Sequence, residues 1–97
     1  MSYHKKTFLI QEHTGIREIS SWVDETNTYG FHKIEKASGT LLRWVATDLK
    51  SGARIAQGKT RRECAEWIEN NKELIDKLRE KEEYKQVVLN FENMKRE

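Results

Sequence analysis

Apolar and polar positions alternate along the chain as far as Gly58 and then change to a three-and-four spacing. Phe8-Leu9-Ile10 lies in a first β-prone run over 7–12, closed by a turn at His13-Thr14-Gly15. Residues 16–23 fit two periods. Ile16, Ile19 and Trp22/Val23 have helical spacing, while the serine pair, the β-branched residues and the neighbouring strands favour a strand. Asp24-Glu25-Thr26-Asn27 reads as a polar turn, Tyr29–Lys36 as a strand, and Ala37-Ser38-Gly39 as a turn. In Leu41–Asp48, Leu42, Trp44 and Ala46 take one face and Arg43, Val45 and Thr47 the other. Asp48-Leu49-Lys50-Ser51-Gly52 is then a hairpin loop, with Gly52 suited to a positive φ and Ala53–Gln57 returning as the partner strand.

Thr60 is a good helix N-cap, and Glu63 three residues on completes a capping box. From there Cys64, Trp67/Ile68, Asn71, Leu74/Ile75 and Leu78 predict one amphipathic helix of about five turns. Trp67, Ile68, Ile75 and Leu78 should lie on the sheet. The run Arg79–Glu83 has no apolar residue, and a second stripe follows at Tyr84, Val87, Val88, Phe91 and Met94. At about 100° per residue, Val87 would point about 180° from Leu78 if the helix were continuous. Either the chain bends near 80–84 and folds back, or the helix offers this face to a second copy or another protein. The expected fold is therefore α+β, a small antiparallel sheet of three to five short strands packed against a long C-terminal helix. One domain over 1–80 would carry a helical extension over 81–97.

The 97 residues suffice for one core and not two. At 36% hydrophobic and 35% charged the chain is polar, but three each of Trp, Tyr and Phe give that core bulk. A single cysteine, Cys64, cannot pair internally, and no stretch has signal-peptide or membrane-span character. The expectation is a cytoplasmic protein that makes no use of a membrane.

No reactive constellation emerges. His4, His13, His32 and Cys64 lack the close pair spacing of a metal site. Gly52 and Gly58-Lys59-Thr60 are separated by five residues where a phosphate-cradling loop needs four. Glu66 with Glu69 and Glu80 with Glu83 alternate with Lys72, Lys77 and Lys81 as on a solvated helix face. The reading is of a protein that is not an enzyme and uses no cofactor. Charge distribution is more telling. The net charge is only +2, yet from Arg43 to Arg62 six basic residues (Arg43, Lys50, Arg54, Lys59, Arg61, Arg62) face one acid, Asp48. A basic two-stranded ribbon fits the major groove, and a helix start favours a phosphate.

The segment Trp44–Ile68 resembles the end of an arm-type DNA-binding domain of tyrosine recombinases. The resemblance is carried by Trp44, Asp48, Gly52, Arg54, Gly58, Thr60, Arg61, Glu63, Ala65 and Trp67, while Ala53 stands where that family has a basic residue. It implies a three-stranded sheet inserted into the major groove with the helix behind. Arg43 and Arg54 would face the groove, and Lys50 and Lys59 would contact phosphates. A small protein of a phage or other mobile element, binding double-stranded DNA through the hairpin at 41–57 and the following helix start, is the expected function. The alternative is a protein-interaction module acting through Tyr84, Val87, Val88, Phe91 and Met94, with no nucleic acid.

Overall fold

The computed structural model describes residues 2–96. Five strands, β1 (Tyr3–Glu12), β2 (Gly15–Asp24), β3 (Tyr29–Glu35), β4 (Leu41–Asp48) and β5 (Ala53–Gly58), precede three helices, α1 (Arg61–Asn70), α2 (Lys72–Glu80) and α3 (Glu82–Lys95). The strands form one antiparallel meander in the order β1-β2-β3-β4-β5. Residues 16–23 are strand, and β1 begins four residues before the expected run. Gly39 and Gly52 take positive φ in their turns, at 88° and 71°. The β2–β3 turn is built on Asp24, whose carboxylate accepts the backbone N–H groups of Thr28 and Tyr29, both at 2.8 Å.

The sheet is strongly bent. β1 and β2 pair along their whole length, but β2 meets β3 only at Trp22↔Phe31 and Val23↔Gly30. The far half of the β1–β2 hairpin therefore leaves the sheet and crosses its other face. Phe8 lies against Gly30, where an added Cβ would stand 2.7 Å from the ring. Gln11 N–H donates to the Gly52 carbonyl at 2.8 Å, tying the end of β1 to the β4–β5 turn. Phe8, Ile10 and Val23 form a small core on this side, with Ile19 and Leu49 at its margin. The main core, on the helix side, joins Tyr29, Phe31, Ala46 and Ala56 to Cys64, Ile68 and Ile75.

The helical region departs from the single long helix. Thr60 caps α1, accepting Glu63 N–H at 3.0 Å, while the Glu63 carboxylate accepts Lys59 N–H at 2.6 Å. This is the capping box read from the sequence. The first break follows at Asn71, and the second at Lys81, which is extended at φ −72° and ψ 146°. No glycine or proline causes either break; tertiary contacts do. The bend at Lys81 turns α3 back so that Phe91, 1% exposed, covers Gly52. Burying that ring outweighs continuing the helix through a run of charges. Only a narrow stripe of α1 and α2 reaches the sheet over the small residues Ala46 and Ala56. Cys64, Ile68 and Ile75 fill it, while Trp67 and Leu78, expected on the sheet, remain 38% and 42% exposed. Among the described residues no helix is long and apolar enough to cross a membrane.

Candidate nucleic-acid interface

Strand register lays out the helix-side face in rows. One row runs Tyr3, Asp24, Tyr29, Asp48, Ala53; the next runs Lys5, Trp22, Phe31, Ala46, Ala56; a third places Lys33 beside Trp44 and Gly58. Helices cover the β3–β5 end of the first two rows. The β1–β2 end and the third row stay partly open, so Tyr3, Trp22 and Trp44 are half-buried rather than sealed.

Cations stand over all three rings. Lys5 Nζ is 5.1 Å from the Trp22 ring centre and Lys33 Nζ 5.6 Å from that of Trp44. Arg61 reaches back from the first turn of α1, its guanidinium 4.1 Å from Tyr3 and 5.2 Å from Trp22. The Tyr3 ring packs edge-on against Phe31 at 5.3 Å, which fixes it in place. Burial raises the Tyr3 pKa against the opposing pull of Arg61, so the phenol stays neutral. Four cation–ring contacts gather on this one surface, against two elsewhere among the described residues.

Between this face and α1 runs a cleft of about 820 Å³, lined by Tyr3, Trp22, Lys33, Trp44, Arg61 and Arg62 among others. Its two carboxylates are already engaged. Glu66 pairs with Arg62 at 3.1 Å and Glu69 with Lys72 at 3.5 Å. Among the described residues Lys5, Lys33 and Arg61 have no carboxylate partner within 4.0 Å. The face is thus aromatic, accessible and positively charged.

The six basic residues singled out in the sequence are not brought together. Arg43 and Arg54 lie on the opposite face of the sheet, since Arg43 pairs with Ile34 and Arg54 with the buried Thr47. Arg61 and Arg62 border the helix-side cleft, Lys59 sits at the β5–α1 junction, and Lys50 lines a separate cleft with Asp48, Arg79 and Tyr84. Alternation along β4 and β5 keeps Arg43 and Arg54 on one face and leaves the loop and helix cations on others, and the Glu63 carboxylate already accepts Lys59 N–H at the helix start that a phosphate would use. Lys5, Trp22 and Lys33 escaped the sequence reading because they are far apart in the chain; only cross-strand pairing makes them neighbours.

Of the expected partner-binding residues, Phe91 is buried and Tyr84 donates its hydroxyl to Asp48 at 2.5 Å. Val88 and Met94 are half-buried, and Val87 is 37% exposed. Tyr84 belongs to a closed cluster. Asp48, 4% exposed, also accepts from Ser51 Oγ at 2.7 Å and Arg79 Nη2 at 3.0 Å. Burial and the hydrogen bond to Asp48 push the Tyr84 pKa well above the usual tyrosine range. Asp48 thereby fastens the start of α3 and the end of α2 to the β4–β5 turn. Among the described residues no group of three or more His, Cys, Asp or Glu side chains could hold a metal, and Cys64, fully buried, has its thiol pKa raised by burial. Searches of protein-family models, of curated proteins and of solved structures return no significant match to this chain.

Proposed function

We propose that this protein binds single-stranded nucleic acid across the open part of its helix-side sheet face. The observation that carries the reading is the set of three half-buried rings, Tyr3, Trp22 and Trp44, topped by Lys5, Lys33 and Arg61, which have no carboxylate partner among the described residues. Unpaired bases stack on such rings, each worth about 1–3 kcal/mol, while the cations follow the backbone. A duplex hides its base faces and would use the cations alone. The groove-binding hairpin at 41–57 is the weaker reading, because Lys50 lies away from the face that Arg43 and Arg54 share, no aromatic platform accompanies that pair among the described residues, and the hairpin's tip is held beneath α3.

The test is tryptophan fluorescence during titration with a thymidine oligomer and with a duplex of equal length, at low and at physiological salt. Quenching by the single strand, with about tenfold weaker binding in Trp22→Leu or Trp44→Leu, supports the proposal. Equal binding of the duplex, with amide shifts centred on Arg43, Lys50 and Arg54, would return the assignment to the hairpin. A flat titration with both at low salt would remove nucleic acid altogether.

A second reading, docking of another protein, is favoured by the exposure of Leu74, Leu78, Val87 and Leu89 on α2 and α3, at 57%, 42%, 37% and 54%. Self-association lost in Val87→Asp, read by sedimentation, would support it.

A further inference from the structure

The other face of the sheet holds a feature that the nucleic-acid reading leaves unused. Where the β1–β2 hairpin crosses β3 and β4 it encloses a cavity of about 60 Å³, whose polar lining is Gln11, Glu12, Arg17, His32, Thr47 and Arg54. Ile10, Ile34, Val45 and Gly52 make the rest of the wall. His32 is 6% exposed, and its Nδ1 has no hydrogen-bond partner. A buried polar atom left unpaired is uncommon in a folded chain and calls for a partner. Arg17 is engaged by Glu12 at 2.8 Å, but Arg54 has only a 3.5 Å contact with the neutral Gln57 side chain. Two guanidinium groups against one carboxylate leave the cavity positive.

We propose that this cavity binds a small oxyanion, either free phosphate or the phosphate group of a monoester, between Arg17 and Arg54 with His32 and Thr47 beneath it. Guanidinium groups present planar donor pairs that match such an anion. The volume suits it, being several times the roughly 10–15 Å³ that one water requires. Outside lies a wider cleft of about 560 Å³ that shares Gln11, Glu12 and Arg54 and adds His13 and Thr14, giving room for the organic part of a monoester.

The site also couples to protons. Burial lowers the His32 pKa, with the Arg17 and Arg54 charges acting in the same direction and Glu12 against them. The empty site therefore holds a neutral imidazole near pH 7. An anion that neutralises the two guanidinium groups removes their share of the shift and favours the imidazolium, so a proton enters with the ligand. Binding should tighten as pH falls and the imidazole takes up its proton.

Sulfate is the first probe, because its charge is constant over this range and any pH dependence belongs to the protein. Amide and histidine side-chain nitrogen NMR of the full chain should give saturable shifts at Gln11, Arg17, His32, Thr47 and Arg54, with tighter binding at about pH 5.5 than at about pH 7.5. Arg54→Gln, at an exposed position that leaves the core intact, should weaken binding about tenfold. Inorganic phosphate and glycerol phosphate, titrated in parallel, separate the two sources. Added shifts at His13 and Thr14 with glycerol phosphate identify a monoester site, and their absence with equal affinity identifies a site for the free anion. Non-saturating shifts spread over every basic side chain, or an unchanged affinity in Arg54→Gln, would overturn the proposal. It is independent of the nucleic-acid reading, whose shifts would fall on Trp22, Lys33 and Trp44 across the sheet.

Discussion

Two charged regions share the helix-side face of this sheet and differ in how their charges are met. At the β4–β5 end Asp48 is buried and surrounded, taking Ser51, Arg79 and Tyr84 within 3.0 Å. At the β1–β2 end Lys5, Lys33 and Arg61 rest on aromatic rings and, among the described residues, none has a carboxylate within 4.0 Å. A buried charge must be paired or its desolvation goes uncompensated, and in the first cluster the Asp48 carboxylate is met by three donors within the fold. Cations at the open side of half-buried rings keep much of their hydration, and their field remains available to an anion. The first region therefore acts as a fastener and the second as a contact surface.

The comparison can be broken most forcefully at Asp48. Asp48→Ala leaves Arg79 without its carboxylate and frees the start of α3. It should cost about 3 kcal/mol of stability in chemical denaturation, near the lower bound for a broken buried pair because Arg79 is partly exposed. Whatever remains folded should keep its affinity for a single-stranded oligomer; a variant that is stable but unable to bind would reverse the roles assigned to the two regions. Next comes Gly52→Ala, which puts a Cβ 2.5 Å from the Phe91 ring at a φ of 71°. A loss of about 2 kcal/mol is expected, read by thermal unfolding. Phe91→Leu in the same background should recover part of it by making room.

Alkaline titration is gentler. The folded-state pKa of Tyr84 lies above its unfolded value of about 10, so its contribution to stability is complete below that pH. That contribution should fade as pH rises from about 10 towards the folded value, and the alkaline loss should be smaller in Tyr84→Phe, where the raised Tyr3 and Tyr29 phenols still titrate. The smallest change in stability belongs to the open face. Lys5→Ala with Lys33→Ala should shift unfolding by less than about 0.5 kcal/mol each, as surface substitutions do. The same pair should flatten the log–log salt dependence of oligomer binding by about 0.7 per lysine. Unchanged slopes would move the nucleic acid elsewhere on the molecule.

Much of the local structure was legible in the chain itself. Alternation placed Leu42, Trp44 and Ala46 on one face of β4, Gly52 announced the positive φ of its turn, and Thr60 with Glu63 marked the start of α1. These are short-range effects, decided by neighbours within four residues, and sequence carries them directly. The change of face between Leu78 and Val87 also signalled that a bend or a partner was needed, without choosing between them.

The choice was made by tertiary structure. Lys81 leaves the helix because Asp48 binds Arg79 and Tyr84 on either side of it and Gly52 leaves a space that the Phe91 ring fills. The candidate surface was likewise beyond the linear pattern. A window of six basic residues drew attention to 43–62, yet only Arg43 and Arg54 share a sheet face, and the loop and helix start carry the others to different surfaces. Lys5, Trp22, Lys33 and Trp44 become one patch only through cross-strand register, and the His32 cavity exists only because the β1–β2 hairpin folds over the sheet. Sequence sets what each strand and helix can present to its two sides. Which of those sides stays open depends on how distant segments cover one another, and that is fixed by the burial of a few large side chains.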